Sequence, residues 1–192
     1  PVPAVLAFDG EWLIQEDLGA RRLSAAFGGG EVRFAGAWAA RAAAALLLCQ
    51  RAADKAALAQ RVAPIGATSE WIAGMLSSPG RVAAQLRLPD PDIGASVTPE
   101  QMAPRRYSFV KWDARPGNAL LLEGGADEGG VGWVDWEHCG ARDALDDLAW
   151  LLCDEYMPDD AGLEEALLKR FLPLFALQSQ RTAADALVYL SR

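Results

Sequence analysis

The sequence predicts an α+β fold, because short apolar runs separated by turn residues alternate with long stretches of helical composition. Residues 5–8 and 12–14 are two apolar runs with an Asp-Gly pair between them, which is typical of a β-hairpin. Residues 34–63 are rich in Ala and Leu with spaced charges, which favours a long helix. Three further short strands are predicted at residues 108–110, 119–122 and 131–136.

The other elements before residue 107 are predicted to be helical. One turn at residues 23–27 ends at a Gly-Gly-Gly run, residues 28–30. Because no Lys or Ser/Thr follows this run at the spacing of a phosphate-binding loop, we expect a flexible turn there. The remaining predictions are a break in the long helix near residue 53, a helix at 69–76 with Ser69 as N-cap, a helix at 82–87, and a helix start at residues 98–100.

All residues after the last strand are predicted to be helical. Residues 145–152 and 163–177 each have one apolar face, and residues 182–190 close the chain. Pro173 is expected to interrupt the second of these segments.

Composition and charge restrict the class of protein. The 192 residues, 52% of them hydrophobic, suffice for one compact domain or for one large lobe with a fragment of another. A net charge of −8 without any Lys/Arg block argues against a nucleic-acid-binding surface. The excess of negative charge is expected to keep the protein soluble. The alternative is that it attracts a cationic small molecule.

The cysteines and the apolar runs indicate a cytoplasmic protein. Cys49, Cys139 and Cys153 are far apart and form no CxxC pair, which is typical of free thiols in a reducing compartment. The longest apolar run, residues 42–49, is too short to span a bilayer. Residues 1–7 lack the basic start of a signal peptide.

Three polar residues in the strand region suggest a site for phosphoryl transfer. Asp113 and Asn118 lie on one short loop after a strand, and Asp135 ends the strand that returns from the following hairpin. We therefore expect the three side chains to converge. Transfer from a nucleotide needs a carboxylate beside the acceptor hydroxyl and oxygen ligands for Mg²⁺. The alternative is that all three are ordinary turn and cap residues.

Four short motifs in this region carry a family resemblance. They are Lys111-Trp112-Asp113, Pro116-Gly117-Asn118, Val134-Asp135-Trp136-Glu137 and Asp147-Leu148-Ala149. This pattern resembles the His-Gly-Asp, Pro-Gly-Asn, Ile/Val-Asp-Trp-Glu and Asp-Leu-Ala motifs of the aminoglycoside phosphotransferase and choline kinase-like family. The resemblance implies a protein-kinase-like fold, with residues 1–19 as the last strands of the small lobe and its hinge. Residues 20–192 would be the mostly helical C-terminal lobe with a small catalytic β-hairpin.

The resemblance also implies roles for individual residues. Asp113 would be the catalytic base, and Asn118 and Asp135 would be Mg²⁺ ligands. The adenine of ATP, the co-substrate, would be held by backbone groups at the hinge residues Glu16, Asp17 and Leu18.

Five neighbouring residues have possible roles at this site, and three of them have two interpretations. Arg115 would bind the transferred phosphate or point to solvent. Asp147 would brace the catalytic loop by accepting backbone hydrogen bonds, or supply a negative charge at a helix N-terminus. His138 is expected to be a loop residue, with acid–base work as the alternative. Trp112 and Trp136 flank the predicted site and are expected to form its walls.

Two features depart from the family pattern. Lys111 stands where the motif has His, and a Lys cannot accept a hydrogen bond. The chain also has no glycine-rich phosphate loop, no strand lysine that grips the phosphates and no glutamate to pair with it. We expect these parts to precede Pro1 in the intact protein, and the chain alone to be inactive.

The leading hypothesis is an ATP- and Mg²⁺-dependent phosphotransferase that acts on a hydroxyl of a small molecule, with a cationic acceptor as one option. The alternative is a non-catalytic, pseudokinase-like binding or interaction module, which Lys111 and the missing phosphate-gripping parts would favour. A metal-dependent hydrolase using two aspartates is weaker, because the sequence supplies no further cluster of metal ligands.

Overall fold

The computed structural model describes residues 2–28, 34–92, 97–123 and 129–191 and confirms the α+β class, with about half of the chain helical. The strands are β1 (Val5–Phe8), β2 (Leu13–Gln15), β3 (Ser108–Val110), β4 (Ala119–Leu121), β5 (Val131–Trp133) and β6 (Gly140–Arg142). The helices are α1 (Leu23–Gly28), α2 (Ala35–Lys55), α3 (Ser69–Leu86), α4 (Pro99–Met102), α5 (Leu145–Leu152), α6 (Ala161–Gln178) and α7 (Ala183–Leu190). Single 3₁₀ turns lie at Leu58–Gln60 and Pro116–Asn118.

The strands pair as three small antiparallel sheets within the described residues, namely β1–β2, β3–β6 and β4–β5. Val110 is opposite Gly140 in the β3–β6 pair, and Ala119 is opposite Trp133 in the β4–β5 pair. The β4–β5 hairpin therefore lies inside the stretch of chain that β3 and β6 close. This topology brings the end of β3, the start of β4 and the end of β5 close together.

Helix α2 lies at the centre of the hydrophobic core. Trp38 and Leu46 of α2 are buried in one cluster with Trp133 of β5, Leu148 of α5 and Phe175 of α6. Each fully buried side chain of this size contributes roughly 1.5–3 kcal/mol by removing apolar surface from water. The cluster therefore holds α5 and α6 against the β4–β5 hairpin, which gives the strand ends a rigid support.

The β1–β2 hairpin exposes most of its apolar side chains. Asp9 accepts hydrogen bonds from the amides of Glu11 and Trp12, which closes the predicted Asp-Gly turn. The large apolar side chains that are more than half exposed here are Val5, Leu6, Phe8, Trp12, Leu13 and Ile14. Contiguous exposed apolar surface of this kind is unusual on a folded chain and marks a contact surface or an aggregation-prone edge.

The structure corrects the predicted course of the chain after residue 136. The residues there are not all helical, because β6 pairs with β3 before α5 begins. The Gly-Ala-Arg sequence of β6 has little strand propensity of its own, so its conformation depends on the tertiary pairing. Pro173 does not interrupt α6, which continues from Ala161 to Gln178.

Two predicted helices before the strands are one. Helix α3 runs unbroken through Pro79, and its N-cap is Thr68 rather than Ser69, since the Thr68 hydroxyl accepts a hydrogen bond from the Trp71 amide. The hydroxyls of Ser77 and Ser78 donate to the backbone of α3 one turn earlier. Helix α2 ends at Lys55, slightly later than predicted, and the chain turns at the left-handed residue that opens the next 3₁₀ turn.

Three further predictions concern the glycine turns, the cysteines and membrane-spanning helices. The predicted glycine turns at residues 28–30 and 124–130 lie largely outside the described residues. The three cysteines are free thiols, as predicted. No helix in the described ranges combines the length and the apolar composition that a membrane crossing requires.

Gly66 is expected to tolerate no side chain. Its φ of +64° is left-handed, and a Cβ there would lie 2.5 Å from Arg142 Nη1 and from Trp71 Cε3. Gly66→Ala should therefore lower the free energy of unfolding by about 2–4 kcal/mol in urea titrations. Gly74→Ala, in α3 with open space around it, is the control and should raise stability by up to about 1 kcal/mol. Equal stability of the two variants would contradict the steric argument.

Candidate functional site

The loop between β3 and β4 carries Asp113 on an unusual backbone. Trp112 and Asp113 both have a φ of 50°, and Asp135, just beyond β5, has a φ of 60°. Non-glycine residues in this left-handed region cost on the order of 1 kcal/mol or more and persist only where their surroundings hold them. Such backbone outliers cluster at functional sites. The two predicted carboxylates at the centre of the site are thus both presented by strained backbone.

Asp147, in the first turn of α5, holds the start of this loop. Its carboxylate accepts hydrogen bonds from the amides of Lys111 at 3.0 Å and Trp112 at 2.9 Å, and from the Gln50 side chain at 2.9 Å. Burial raises the pKa of Asp147, and the hydrogen bonds from Gln50 and the loop amides oppose this rise. The predicted bracing by Asp147 is therefore confirmed, and its helix N-terminal location is confirmed as well.

Lys111 ties the loop to the end of β5. Its ammonium donates to the backbone carbonyl of Asp113 at 3.1 Å and to that of Asp135 at 2.9 Å. The side chain is buried, and this burial lowers the pKa of Lys111 against the opposing attraction of Asp113, Asp147 and Asp135. A single buried cation thus holds the backbones of both predicted site aspartates.

Asn118 connects the Asp113 loop to the segment before Asp135. Its side-chain amide donates to Asp113 Oδ2 at 2.8 Å and to the Asp113 carbonyl at 3.2 Å. Its backbone carbonyl accepts a hydrogen bond from the Val134 amide at 3.1 Å, which puts Asn118 beside the residue that precedes Asp135. The side chains of Asp113 and Asn118 therefore meet, and the backbone of Asp135 lies beside them through Lys111 and Val134.

The oxygen atoms of Asn118 and Asp135 suit a hard cation. Asp135 is exposed, and its carboxylate makes no hydrogen bond or ion pair with any described residue. Asn118 uses its amide nitrogen for Asp113, which leaves the amide oxygen as a ligand. In the described parts of the chain, no three His, Cys, Asp or Glu side chains could hold a metal ion among themselves. Carboxylate and amide oxygens are the ligand types that Mg²⁺ prefers, with phosphate and water as its usual further ligands.

The predicted hinge residues follow β2 and use their side chains locally. Glu16 accepts a hydrogen bond from the Ala4 amide at 3.1 Å, and its own amide donates to the Ala4 carbonyl at 2.8 Å. Asp17 accepts from the amide two residues later at 2.8 Å. Leu18 lies against β5, where a Cβ on Gly132 would be 2.6 Å from Leu18 Cδ1. Within the described residues, the Glu16 carbonyl and the Leu18 amide have no hydrogen-bond partner, so these backbone groups are open to a ligand.

Arg115 is held by acidic side chains. Its Nε lies 3.1 Å from the Asp154 carboxylate, and its Nη2 lies 3.1 Å from the Glu155 carboxylate. The guanidinium also lies over the ring of Tyr156, 5.8 Å from its centroid. A phosphate would therefore have to compete with two carboxylates for Arg115.

A cavity of about 520 Å³, which we call the loop cavity, opens beside the loop. Trp112 and Arg115 of the loop line it together with Met75 of α3 and Trp150 of α5, while Asp113, Asn118 and Asp135 are not among its lining residues. Its size is in the range of small-molecule sites, roughly 300–1,000 Å³. The loop that carries the candidate base therefore forms one wall of a cavity large enough for an acceptor molecule.

A second cavity, of about 670 Å³, lies between the β1–β2 hairpin and α2. Val5, Leu48, Phe109 and Trp136 are among its mostly apolar walls, and none of the three converging polar residues lines it. Trp112 and Trp136, both expected to be walls of the site, thus line two different cavities.

Arg142 and Asp146 form a buried ion pair, and Asp146 is also in the wall of the loop cavity. Arg142 Nε lies 2.8 Å from the Asp146 carboxylate, and the Tyr189 hydroxyl donates to Asp146 Oδ1 at 2.9 Å. Burial raises the pKa of Asp146 to about 7, and the positive charge of Arg142 opposes that rise. The carboxyl group therefore titrates near neutral pH.

Arg142 also supports the loop from behind. Its guanidinium lies over the rings of Trp71, at 5.1 Å, and Trp112, at 5.6 Å. It donates to the backbone carbonyls of Ile65 and Met102, each at 3.1 Å. These contacts stabilise the left-handed conformation of Trp112 through its side chain.

Gln50, Arg142 and Arg22 also support this region, although the sequence does not predict them as part of it. Gln50 is a lone polar residue in the apolar half of α2, which is a readable signal for a buried hydrogen bond. Arg142 and Asp146 have the i, i+4 spacing of an ion pair. Arg22 donates to the carbonyl of Gly117, a contact that nothing in the local sequence indicates. His138 is an exposed loop residue near Glu137, as expected.

Comparison with known proteins assigns no family to the chain. No family model matches it, and no curated protein matches it either. The resemblance seen in the four motifs therefore stays a prediction.

Proposed function

We propose that the chain provides the acceptor-binding and metal-binding half of an ATP- and Mg²⁺-dependent phosphotransferase that acts on a hydroxyl of a small molecule. The observation that carries this proposal is the convergence of Asp113, Asn118 and Asp135 on backbone held by Lys111 and Asp147. In this proposal the described elements are a protein-kinase-like C-terminal lobe of the aminoglycoside phosphotransferase and choline kinase-like type. The β1–β2 hairpin and residues 16–18 are then the border of the nucleotide site.

The proposed reaction gives each polar residue one task. Asp113 orients the acceptor hydroxyl and takes its proton, while the acceptor oxygen bonds to the γ-phosphorus and the bond from that phosphorus to ADP breaks. Asn118 fixes Asp113 Oδ2 by a hydrogen bond, which leaves Oδ1 for the acceptor. Asn118 and Asp135 are the residues that would hold Mg²⁺, which supplies charge neutralisation at the phosphates when bound.

Lys111 is compatible with this role although the family motif has His at its position. The motif His mainly orients the loop. The Lys111 ammonium reaches the carbonyls of both Asp113 and Asp135, so it can orient the same two segments by donation alone. Lys111 can therefore support both segments without a histidine.

Asp113→Asn is expected to reduce Mg²⁺-dependent phosphate transfer from ATP by at least about 100-fold, because an amide cannot accept the hydroxyl proton. The measurement is phosphate transfer by the intact gene product to a panel of small alcohols. Asp159→Asn, at an exposed position away from the loop, is the control and should keep the parent rate. An unchanged rate in Asp113→Asn would show that this carboxylate is not the base.

A non-catalytic binding module is the second candidate. The observation that favours it is the buried Lys111 cation between Asp113 and Asp135, which weakens the negative potential that attracts Mg²⁺. Calorimetry of the intact gene product with ATP discriminates between the two candidates. Tight binding that requires Mg²⁺ supports the phosphotransferase, and binding that is absent or independent of the metal favours the module.

A further inference from the structure

We propose that the second cavity, between the β1–β2 hairpin and α2, is a binding site for an uncharged small molecule with a flat apolar ring. We call it the hairpin cavity. It is separate from the proposed phosphotransfer site, because neither the hinge residues 16–18 nor Asp113, Asn118 and Asp135 are among its lining residues. Its volume of about 670 Å³ is within the roughly 300–1,000 Å³ of small-molecule sites.

The wall of the hairpin cavity carries no charged side chain among the described residues. Its apolar side chains come from the hairpin, from α2 and from the strand region, and they include Val5, Leu48, Ala52, Phe109 and Trp136. The loop cavity differs, since one guanidinium and three carboxylates line it. An ionised ligand in the hairpin cavity would lose hydration without gaining a counter-charge. The wall therefore selects for an uncharged ligand.

Two aromatic side chains of this wall are stacked on each other. The ring centroids of Phe109 and Trp136 are 5.9 Å apart, and the angle between the rings is 21°. The Trp136 indole donates a hydrogen bond to the Trp133 carbonyl at 2.8 Å, which fixes the orientation of its ring. Both Phe109 and Trp136 are only half-buried, so a ligand can contact them. Because aromatic rings make favourable stacked and edge contacts with one another, a flat ring suits this wall.

The hairpin cavity combines exposed apolar walls with a single amide. Leu48 is 58% exposed and Val5 is 61% exposed, so a ligand that covers them removes apolar surface from water. The side-chain amide of Gln15 also lines the cavity and has no hydrogen-bond partner within the described residues. An apolar wall with one free hydrogen-bonding group is typical of a site that orients a small molecule.

Two of the three cysteines line the hairpin cavity and can report its occupancy. Cys49 and Cys139 are in its wall, whereas Cys153 is not. Burial raises the pKa of all three thiols, so they are uncharged at neutral pH and keep the wall apolar. A bound ligand should therefore shield Cys49 and Cys139 from a small alkylating reagent, while Cys153 reacts as before.

The test is calorimetric binding of three matched naphthalenes to the intact gene product at pH 7. They are uncharged 2-naphthamide, anionic 2-naphthoate and cationic 2-(aminomethyl)naphthalene. The amide should bind at least about tenfold more tightly than either charged analogue. It should also slow the alkylation of Cys49 and Cys139 by N-ethylmaleimide, but not that of Cys153, as measured by peptide mass spectrometry.

Three variants locate the binding. Ala52→Trp, at an exposed position in the wall, should fill the cavity and weaken 2-naphthamide at least about tenfold. Ala37→Trp makes the same change at an exposed position of α2 that does not line the cavity, and it should leave the affinity unchanged. Leu48→Lys adds a cation to the wall and should narrow the preference for the amide over 2-naphthoate.

Three results would overturn the proposal. They are no binding of 2-naphthamide, binding of a charged analogue that is equally tight, and an amide affinity that neither Ala52→Trp nor Leu48→Lys changes. None of these measurements involves phosphate transfer. The hairpin cavity can therefore be rejected while the phosphotransferase stands, and the phosphotransferase can be rejected while the hairpin cavity stands.

Discussion

Asp147→Ala is expected to lower the free energy of unfolding by about 3–5 kcal/mol, the largest single-residue effect on stability at this site. The Asp147 side chain is buried and accepts three hydrogen bonds, from the amides of Lys111 and Trp112 and from Gln50. Removing the carboxylate leaves the Lys111 and Trp112 amides without a partner, while Gln50 keeps its hydrogen bond to the Ala144 carbonyl. Each unpaired donor costs about 1–3 kcal/mol, and the cavity left by the side chain adds to this loss. Urea unfolding followed by circular dichroism measures the loss.

Two control variants test whether the loss of stability comes from the hydrogen bonds of Asp147. Asp147→Asn keeps the size of the side chain and one acceptor oxygen, so it should lose about 1–2 kcal/mol. Asp159→Ala, at an exposed position, should stay within about 0.5 kcal/mol of the parent. If Asp147→Ala were as stable as Asp159→Ala, the hydrogen bonds to Lys111 and Trp112 would not be holding the loop.

The free energy of unfolding is expected to fall as the pH rises from about 4 to about 7, because of Asp146. Burial raises the pKa of Asp146 to about 7, while an unfolded aspartate titrates near pH 4. Between these values the folded chain holds a proton that the unfolded chain has lost, so raising the pH favours unfolding. The contribution of Asp146 is complete below pH 4, is lost through pH 7, and totals up to about 4 kcal/mol at about 1.4 kcal/mol per unit.

Unfolding measured from pH 5 to pH 8 checks this dependence. Asp146→Asn removes the titrating group, so its stability should change much less over the same range. Tyr189→Phe removes a hydrogen bond that favours the ionised carboxylate, so the loss of stability should move to higher pH. Parallel pH curves for the parent and Asp146→Asn would assign the effect to another group.

The sequence predicts the local elements of this fold better than its long-range pairings. The Asp9-Gly10 hairpin and the Ala-rich helix α2 are readable because turn chemistry and helix composition are properties of neighbouring residues. Strand β6 is not readable, because Gly140 to Arg142 form a strand only by pairing with β3, about thirty residues away.

The same distinction applies to the candidate site. The proximity of Asp113, Asn118 and Asp135 is predictable. Asp113 and Asn118 are on one short loop, and the two strands of a single hairpin bring the chain from Asn118 back to Asp135. The contact of Arg142 with Trp71 and Trp112 is not predictable, since it joins three distant segments by side-chain packing. The pairing of Arg115 with Asp154 also needed the structure, because it depends on where α5 ends relative to the loop.

The antiparallel pairing of β3 with β6 determines how the loop that carries Asp113 unfolds. Lys111, Asp113, Asn118 and Asp135 all belong to the stretch of chain that this pairing closes. Opening β3 from β6 would free Lys111 and Asp113 at the end of β3, while the β4–β5 hairpin that precedes Asp135 and follows Asn118 stays packed in the core through Trp133. The stability of the Asp113 loop is therefore set by the opening free energy of this pairing, which amide hydrogen exchange resolves separately from global unfolding.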